Sequence, residues 1–172
     1  GINTVRRRVW TEGRKEKMKE ALIDVDGTIA GTYGECKGGM SLSHKGIWGY
    51  SPLIVSLANT KEVLYLENRP GNVASHDGSV KWIDRAIEVV EPYAEGICIR
   101  GDTDFSLTGN FDRWSERADF VFGMDARAVL IKRAEELPKE AWKVLVRKPK
   151  YTVKTQERQK PESIKEEIVK EK

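Results

Sequence analysis

The sequence predicts an α/β domain on a mixed sheet, with three antiparallel strands followed by alternating helices and strands. Two observations carry this. An apolar, β-favouring run starting at Ala21 ends in acids and a glycine, and two further strand-like runs follow it at short spacing. From Ser79 onward, apolar residues at helical spacing alternate with short apolar runs.

The first run, Ala21-Leu22-Ile23-Asp24-Val25-Asp26-Gly27-Thr28, organises the chain. Side chains alternate along a strand, so Asp24 and Asp26 share one face while Ile23 and Val25 take the other. Two carboxylates gathered at a strand end repel each other, and a divalent cation relieves that repulsion. The plainer alternative makes one of them a turn cap before Gly27 and the other a solvated edge residue.

Gly31 to Gly39 is glycine-rich and reads as a loop. His44 to Ala58 reads as an extended run with Pro52 at an edge or bend, and Val63 to Asn68 returns as a strand after the turn at Asn59 to Glu62. Val80, Ile83, Ile87 and Val90 then mark a helix to Tyr93, with Asp77 or Ser79 as its cap. Gly96 to Ile99 is a strand that delivers Asp102 just past its end. Phe111 and Trp114 suggest a short helix, Phe120 to Gly123 a strand, and Ala126 to Leu137 a helix capped by Asp125. Helical crossovers of this length set the later strands parallel to the first.

Composition narrows the class. In 172 residues, 39% are hydrophobic and 33% charged, which fits one soluble globular domain with a highly charged surface. No apolar run approaches the roughly 20 residues that span a bilayer, so no membrane partner and a cytoplasmic location are expected. Cys36 and Cys98 match no metal-ligand spacing; Cys98 reads as buried and Cys36 as an unpaired loop thiol. The net charge of +3 says little, but basic residues cluster at Arg6-Arg7-Arg8 and from Lys143 to Lys160. Such clusters suit a phosphate backbone or form a solvated face. Residues 1–19 read as a basic linker or the end of an upstream region, 20–147 as the folded domain and 148–172 as a charged, mobile tail.

With this strand order, the ends of the first and fourth strands lie side by side, bringing Asp24, Asp26 and Asp102 together. Oxygen ligands without a His or Cys cluster point to Mg²⁺ or Mn²⁺. Two such ions about 3.5 to 4 Å apart can bind the attacking and leaving oxygens of a phosphoryl transfer.

Five motifs in order then carry a resemblance. They are Asp26-Gly27-Thr28, Lys45 to Leu53, Asn68-Arg69-Pro70-Gly71-Asn72 with Ser75-His76, Arg100 to Phe105, and Phe122-Gly123-Met124-Asp125. Together they resemble bacterial insertion-sequence DDE transposases over roughly Ala21 to Trp142. The resemblance implies a ribonuclease-H-like fold and metal-dependent cleavage and strand transfer at DNA ends. It implies Asp26 as the first catalytic and metal-holding acid, with Asp24 a competitor, and Asp102 as the second. It sets Arg69, Asn72, Arg100 and Lys45 against DNA, which comprises the element ends and a target. It also implies a homodimer and a bacterial, nucleoid-associated location.

The family's third acid, a glutamate in a later helical motif, has no counterpart here. The chain is therefore read as truncated and inactive alone. Arg69 to Asn72 can equally be an ordinary turn, Arg100 can neutralise the acids, and Asp104 can cap the next turn. His76 reads as a surface or capping residue. Trp48, Tyr50, Trp82 and Trp114 read as core rather than base-stacking surfaces.

Two alternatives compete. Asp24-Val25-Asp26-Gly27-Thr28 also resembles the opening of haloacid-dehalogenase-like phosphohydrolases, with Asp24 as nucleophile, although their late acidic motif is missing. A non-catalytic, DNA-binding remnant is the other.

Overall fold

The computed structural model describes residues 1–13, 16–34 and 36–144, which form parts of two compact units, Gly1–Ala126 and Arg127–Lys172. The charged tail expected from residue 148 lies outside the described residues.

In the first unit, helix α1 (Ile2–Gly13) leads into strand β1 (Met18–Gly27). A small ribbon follows, made of β2 (Ala30–Gly31), β3 (Ser41–Leu42) and β4 (Trp48–Tyr50). Then come β5 (Leu53–Leu57), β6 (Glu62–Glu67), α2 (Ser79–Val90), β7 (Ala94–Gly101), α3 (Phe111–Ser115) and β8 (Asp119–Phe122). The five-stranded sheet has the order β6-β5-β1-β7-β8. Strand β5 is antiparallel to β1 and to β6, whereas β7 is parallel to β1 and to β8. This is the mixed, ribonuclease-H-like arrangement expected from the sequence, with β1 at its centre.

Alternation along the strands decides which face is buried. Ile23, Val25, Val55, Leu57 and Ile99 fall on one face, where Ile83, Ile87 and Val90 of α2 meet them and Trp114 of α3 extends the core. Each such aliphatic side chain contributes about 1.5–3 kcal/mol by leaving water. Asp24, Asp26, Ile54, Ser56 and Arg100 lie on the opposite face by the same register. The acids thus sit on the more open side of the sheet.

Three expectations are corrected, and residues 1–19, expected as a linker or the end of an upstream region, contain α1, which is anchored by buried Trp10, by Asn3 Nδ2 donating to the Leu64 carbonyl at 3.0 Å, and by Arg7 donating to the Glu88 carbonyl at 2.9 Å. Its polar side chains do much of the docking, and hydrophobic patterning cannot register that. The run from His44 to Ala58 divides at Ser51-Pro52, because Gly49 fits where a Cβ would lie 2.1 Å from the Ala30 carbonyl oxygen and so holds β4 in the small ribbon. The N-cap of α2 is Gly78 at φ 70°, a left-handed position suited to glycine, and no side chain caps it. Trp48 is 58% exposed, not core.

In the second unit, α4 (Ala128–Glu135) has Arg127 at its N-cap without a side-chain hydrogen bond, so Asp125 is not its cap. Cys98 is buried and Cys36 exposed, both as free thiols. Among the described residues no helix is long and apolar enough to cross a membrane.

A surface pair gives a small pH-dependent contribution. The Arg117 guanidinium donates to both Glu91 carboxylate oxygens, at 3.2 and 2.7 Å, and that hydrogen bonding holds the Glu91 pKa below its ordinary value. A carboxyl depressed in the folded state stabilises above its unfolded pKa, and that contribution is lost as pH falls through the folded value. Because the pair is half-exposed, its worth is about 0–1 kcal/mol. Arg117→Ala is expected to lower the urea midpoint slightly at neutral pH. The difference from wild type should vanish in acid below the folded Glu91 pKa.

Candidate active site

The site is set by the parallel register of β1 and β7, which pairs Ile23 with Ile99 and Asp24 with Arg100. Asp26 lies two residues further along β1, and Asp102 directly follows the end of β7. Both acids stand at the C-terminal ends of adjacent parallel strands, where α/β sheets open into crevices. On its other side Asp26 pairs with Ile54 of β5, so it occupies the middle of the sheet.

The three aspartates differ in what holds them. Asp24 is engaged through both oxygens: Arg100 Nε donates to Oδ1 at 2.6 Å and a terminal nitrogen donates to Oδ2 at 2.8 Å. This bidentate pairing raises the Arg100 pKa and leaves Nη1 without a hydrogen bond among the described residues. Asp26 is exposed and makes no hydrogen bond or ion pair among the described residues. Asp102 caps the short 3₁₀ turn Thr103–Phe105, its Oδ1 accepting from the Asp104 backbone N–H at 3.0 Å, and Oδ2 stays open. The cap is therefore Asp102, not Asp104.

A cleft of about 600 Å³ opens at these strand ends. Thr28, Lys45, Ser75, His76, Asp102 and Asp104 line it, and Asp26 does not. The wall from Gly71 to His76 is held by Arg69, which is buried. Its Nε donates to the Ser51 carbonyl at 2.9 Å, and its terminal nitrogens donate to the Ser75 carbonyl at 3.2 and 3.3 Å and to the Asp77 carbonyl at 2.5 Å. Burial lowers the Arg69 pKa, against the opposing pull of Glu67 and Asp77. The guanidinium is thus committed to the chain's own backbone, and Arg69 acts as a loop staple where a DNA contact was expected. Gly27 lets this wall close on β1, since a Cβ there would lie 2.8 Å from Ser75 Cβ. Asn72 and Lys45 are exposed, Asn72 on the stapled loop and Lys45 at the cleft.

Sequence reasoning expected Asp24, Asp26 and Asp102 at one end of the sheet and set Lys45 against DNA; of these, Asp102 and Lys45 line the cleft. It passed over His44 and Thr28 as cleft residues, and only their adjacency to Lys45 and Gly27 could have suggested them.

Comparison with known proteins bears on this arrangement. Residues 4–165 match the family described as transposase DDE domain, group 1. The chain belongs to that family. A solved piggyBac transposase in a synaptic complex with hairpin DNA is similar at 15% identity and a TM-score of 0.38, over 69% of this chain and 27% of that one. The chain spans about a quarter of the length of that transposase. No curated protein matches the sequence.

As a transposase DDE domain, the chain comes from a class that generally uses divalent metal ions. Asp26 and Asp102 offer hard carboxylate oxygens of the kind such an ion takes. Among the described residues no group of three or more His, Cys, Asp or Glu side chains is arranged to hold a metal. The phosphohydrolase alternative fails here. It requires a largely parallel sheet, and its nucleophile, Asp24, has both oxygens bound by Arg100.

Proposed function

We propose that this domain binds DNA across the cleft and takes part in metal-dependent cleavage and transfer of DNA strands, with Asp26 and Asp102 as two of its metal-holding carboxylates. The observation that supports the reading is that Asp26, near the end of β1, has no side-chain partner among the described residues, while Asp102 follows the adjacent parallel strand β7 and lines the cleft. A divalent ion bound there supplies charge stabilisation for in-line phosphoryl transfer and eases deprotonation of an attacking water.

The chain's own groups divide the remaining work. Lys45, exposed beside the acids, meets a phosphate oxygen. Arg100 cancels the charge of Asp24, which removes one like charge from the neighbourhood of Asp26. Asp24 is thus a positioning residue, and Asn72 contacts the DNA backbone from the loop that Arg69 staples. The working species is a homodimer holding two DNA ends, by the family resemblance.

Titration with Mn²⁺ by calorimetry tests the assignment. Removing even an outer-sphere partner of a metal costs about 10–100-fold in affinity, so Asp26→Ala and Asp102→Ala are each expected to weaken binding by at least about tenfold. Asp24→Ala should cost less than either. If Asp24→Ala alone abolishes binding, the assignment is wrong. If no substitution changes it, the domain is a DNA-binding module without a metal site.

A further inference from the structure

A second hollow lies beside the acid cleft, of about 670 Å³, on the small ribbon. Tyr33, Met40, Ile47 and Trp48 give it an apolar lining, with Gly31 and Thr32 at its base. Its two aromatic rings are poorly covered: Trp48 is 58% exposed and Tyr33 fully exposed, and neither contacts another ring among the described residues. Large aromatic side chains seldom stand bare without a partner to cover them.

The ribbon presents Trp48 on a rigid base. Gly49, the next residue, is wedged against Ala30, and Trp48 itself pairs with Leu42 across β3. Ile47 lines both this hollow and the acid cleft, so the two are adjacent. The approaches are basic. Lys45 stands exposed two residues before Ile47, and Lys37 Nζ donates to Thr32 Oγ1 at 2.7 Å on the hollow's own wall.

We propose that this hollow holds an unpaired nucleobase of the DNA strand that crosses the acid cleft, stacked on Trp48 and Tyr33. Aromatic side chains stack on any base because every base has a π-face. A base inside a duplex has both faces covered by its neighbours, so only an unpaired one can enter. The shared residue Ile47 and the bare rings carry the choice of occupant: a strand whose phosphate meets Lys45 in the cleft passes the hollow that adjoins it. The proposal rests on the DNA-binding reading above.

The test is fluorescence anisotropy with a labelled blunt duplex and the same duplex bearing a short single-stranded flap, at one salt concentration. Trp48→Ala is expected to weaken the flapped DNA by about tenfold and the blunt duplex hardly at all, from the usual worth of one stacked base. Trp48→Phe, which keeps a ring, should recover most of the loss. A 2-aminopurine in the flap should be quenched by wild type and by Trp48→Phe, and not by Trp48→Ala.

Equal losses on both DNAs, or none on either, overturn the stacking site while leaving duplex binding as a property of the cleft. If wild type binds neither DNA, the DNA-binding reading falls and the stacking site with it. If Trp48→Ala does not fold, the comparison of Tyr33→Ala with wild type decides the matter by the same preference for flapped DNA.

Discussion

Arg69→Met is expected to lower the stability of the domain by about 3–5 kcal/mol, read as a shift of the urea midpoint. The guanidinium donates to three backbone carbonyls, of Ser51, Ser75 and Asp77, from a buried position. Methionine keeps much of the volume and none of the donors, so these carbonyls lose their charged partner where water reaches them poorly. Each such loss costs about 1–3 kcal/mol. Arg69→Lys should rescue little, because a single ammonium cannot replace a planar fork spanning three acceptors. A midpoint unchanged in Arg69→Met would show that the loop from Pro70 to Asp77 is held by something else, and the staple role would be withdrawn.

Gly71→Ala should also be severe, and for a different reason. A Cβ at this position would lie 2.4 Å from the Ser41 carbonyl oxygen and 2.8 Å from that of Gly49. Both obstacles are backbone, so no side-chain rotation relieves them, and overpacking of this kind costs about 1–3 kcal/mol or more. The Gly71 N–H donates to the Gly49 carbonyl at 3.0 Å, and Pro70 bridges to Tyr50, so the strain reaches the ribbon directly. The expected result is a lower urea midpoint together with faster amide exchange at Gly49 and Gly71. Unchanged exchange at both sites would mean that the ribbon and loop are not packed as described.

Both substitutions act on the wall of the cleft, which clarifies the motif Asn68-Arg69-Pro70-Gly71-Asn72. In sequence it reads equally as a turn and as a DNA contact. In the structure Arg69 points inward, Gly71 permits a close backbone approach, and Asn72 alone is exposed among these three. The motif builds the wall first, and Asn72 is the position left for a ligand.

The sequence by itself determined the mixed sheet, with three antiparallel strands followed by strands parallel to the first. Those features rest on local signals: apolar alternation along β1 and β5, helical spacing in α2, and a short chain length between α2 and β7 that makes the crossover parallel. Asp26 and Asp102 were legible as candidates because one stands near the end of an apolar strand and the other just past one.

Only the tertiary structure decided which acid is free. Asp24 and Asp26 are equivalent in alternation, and they separate because Arg100, 76 residues away, is level with Asp24 and takes both its oxygens. The same holds for α1, docked largely by polar side chains, for Arg69, whose acceptors are backbone carbonyls of other segments, and for Trp48, left exposed once Gly49 is drawn into the ribbon. Each outcome depends on a partner distant in sequence or on backbone atoms that every residue shares. Residue type and spacing carry no record of either.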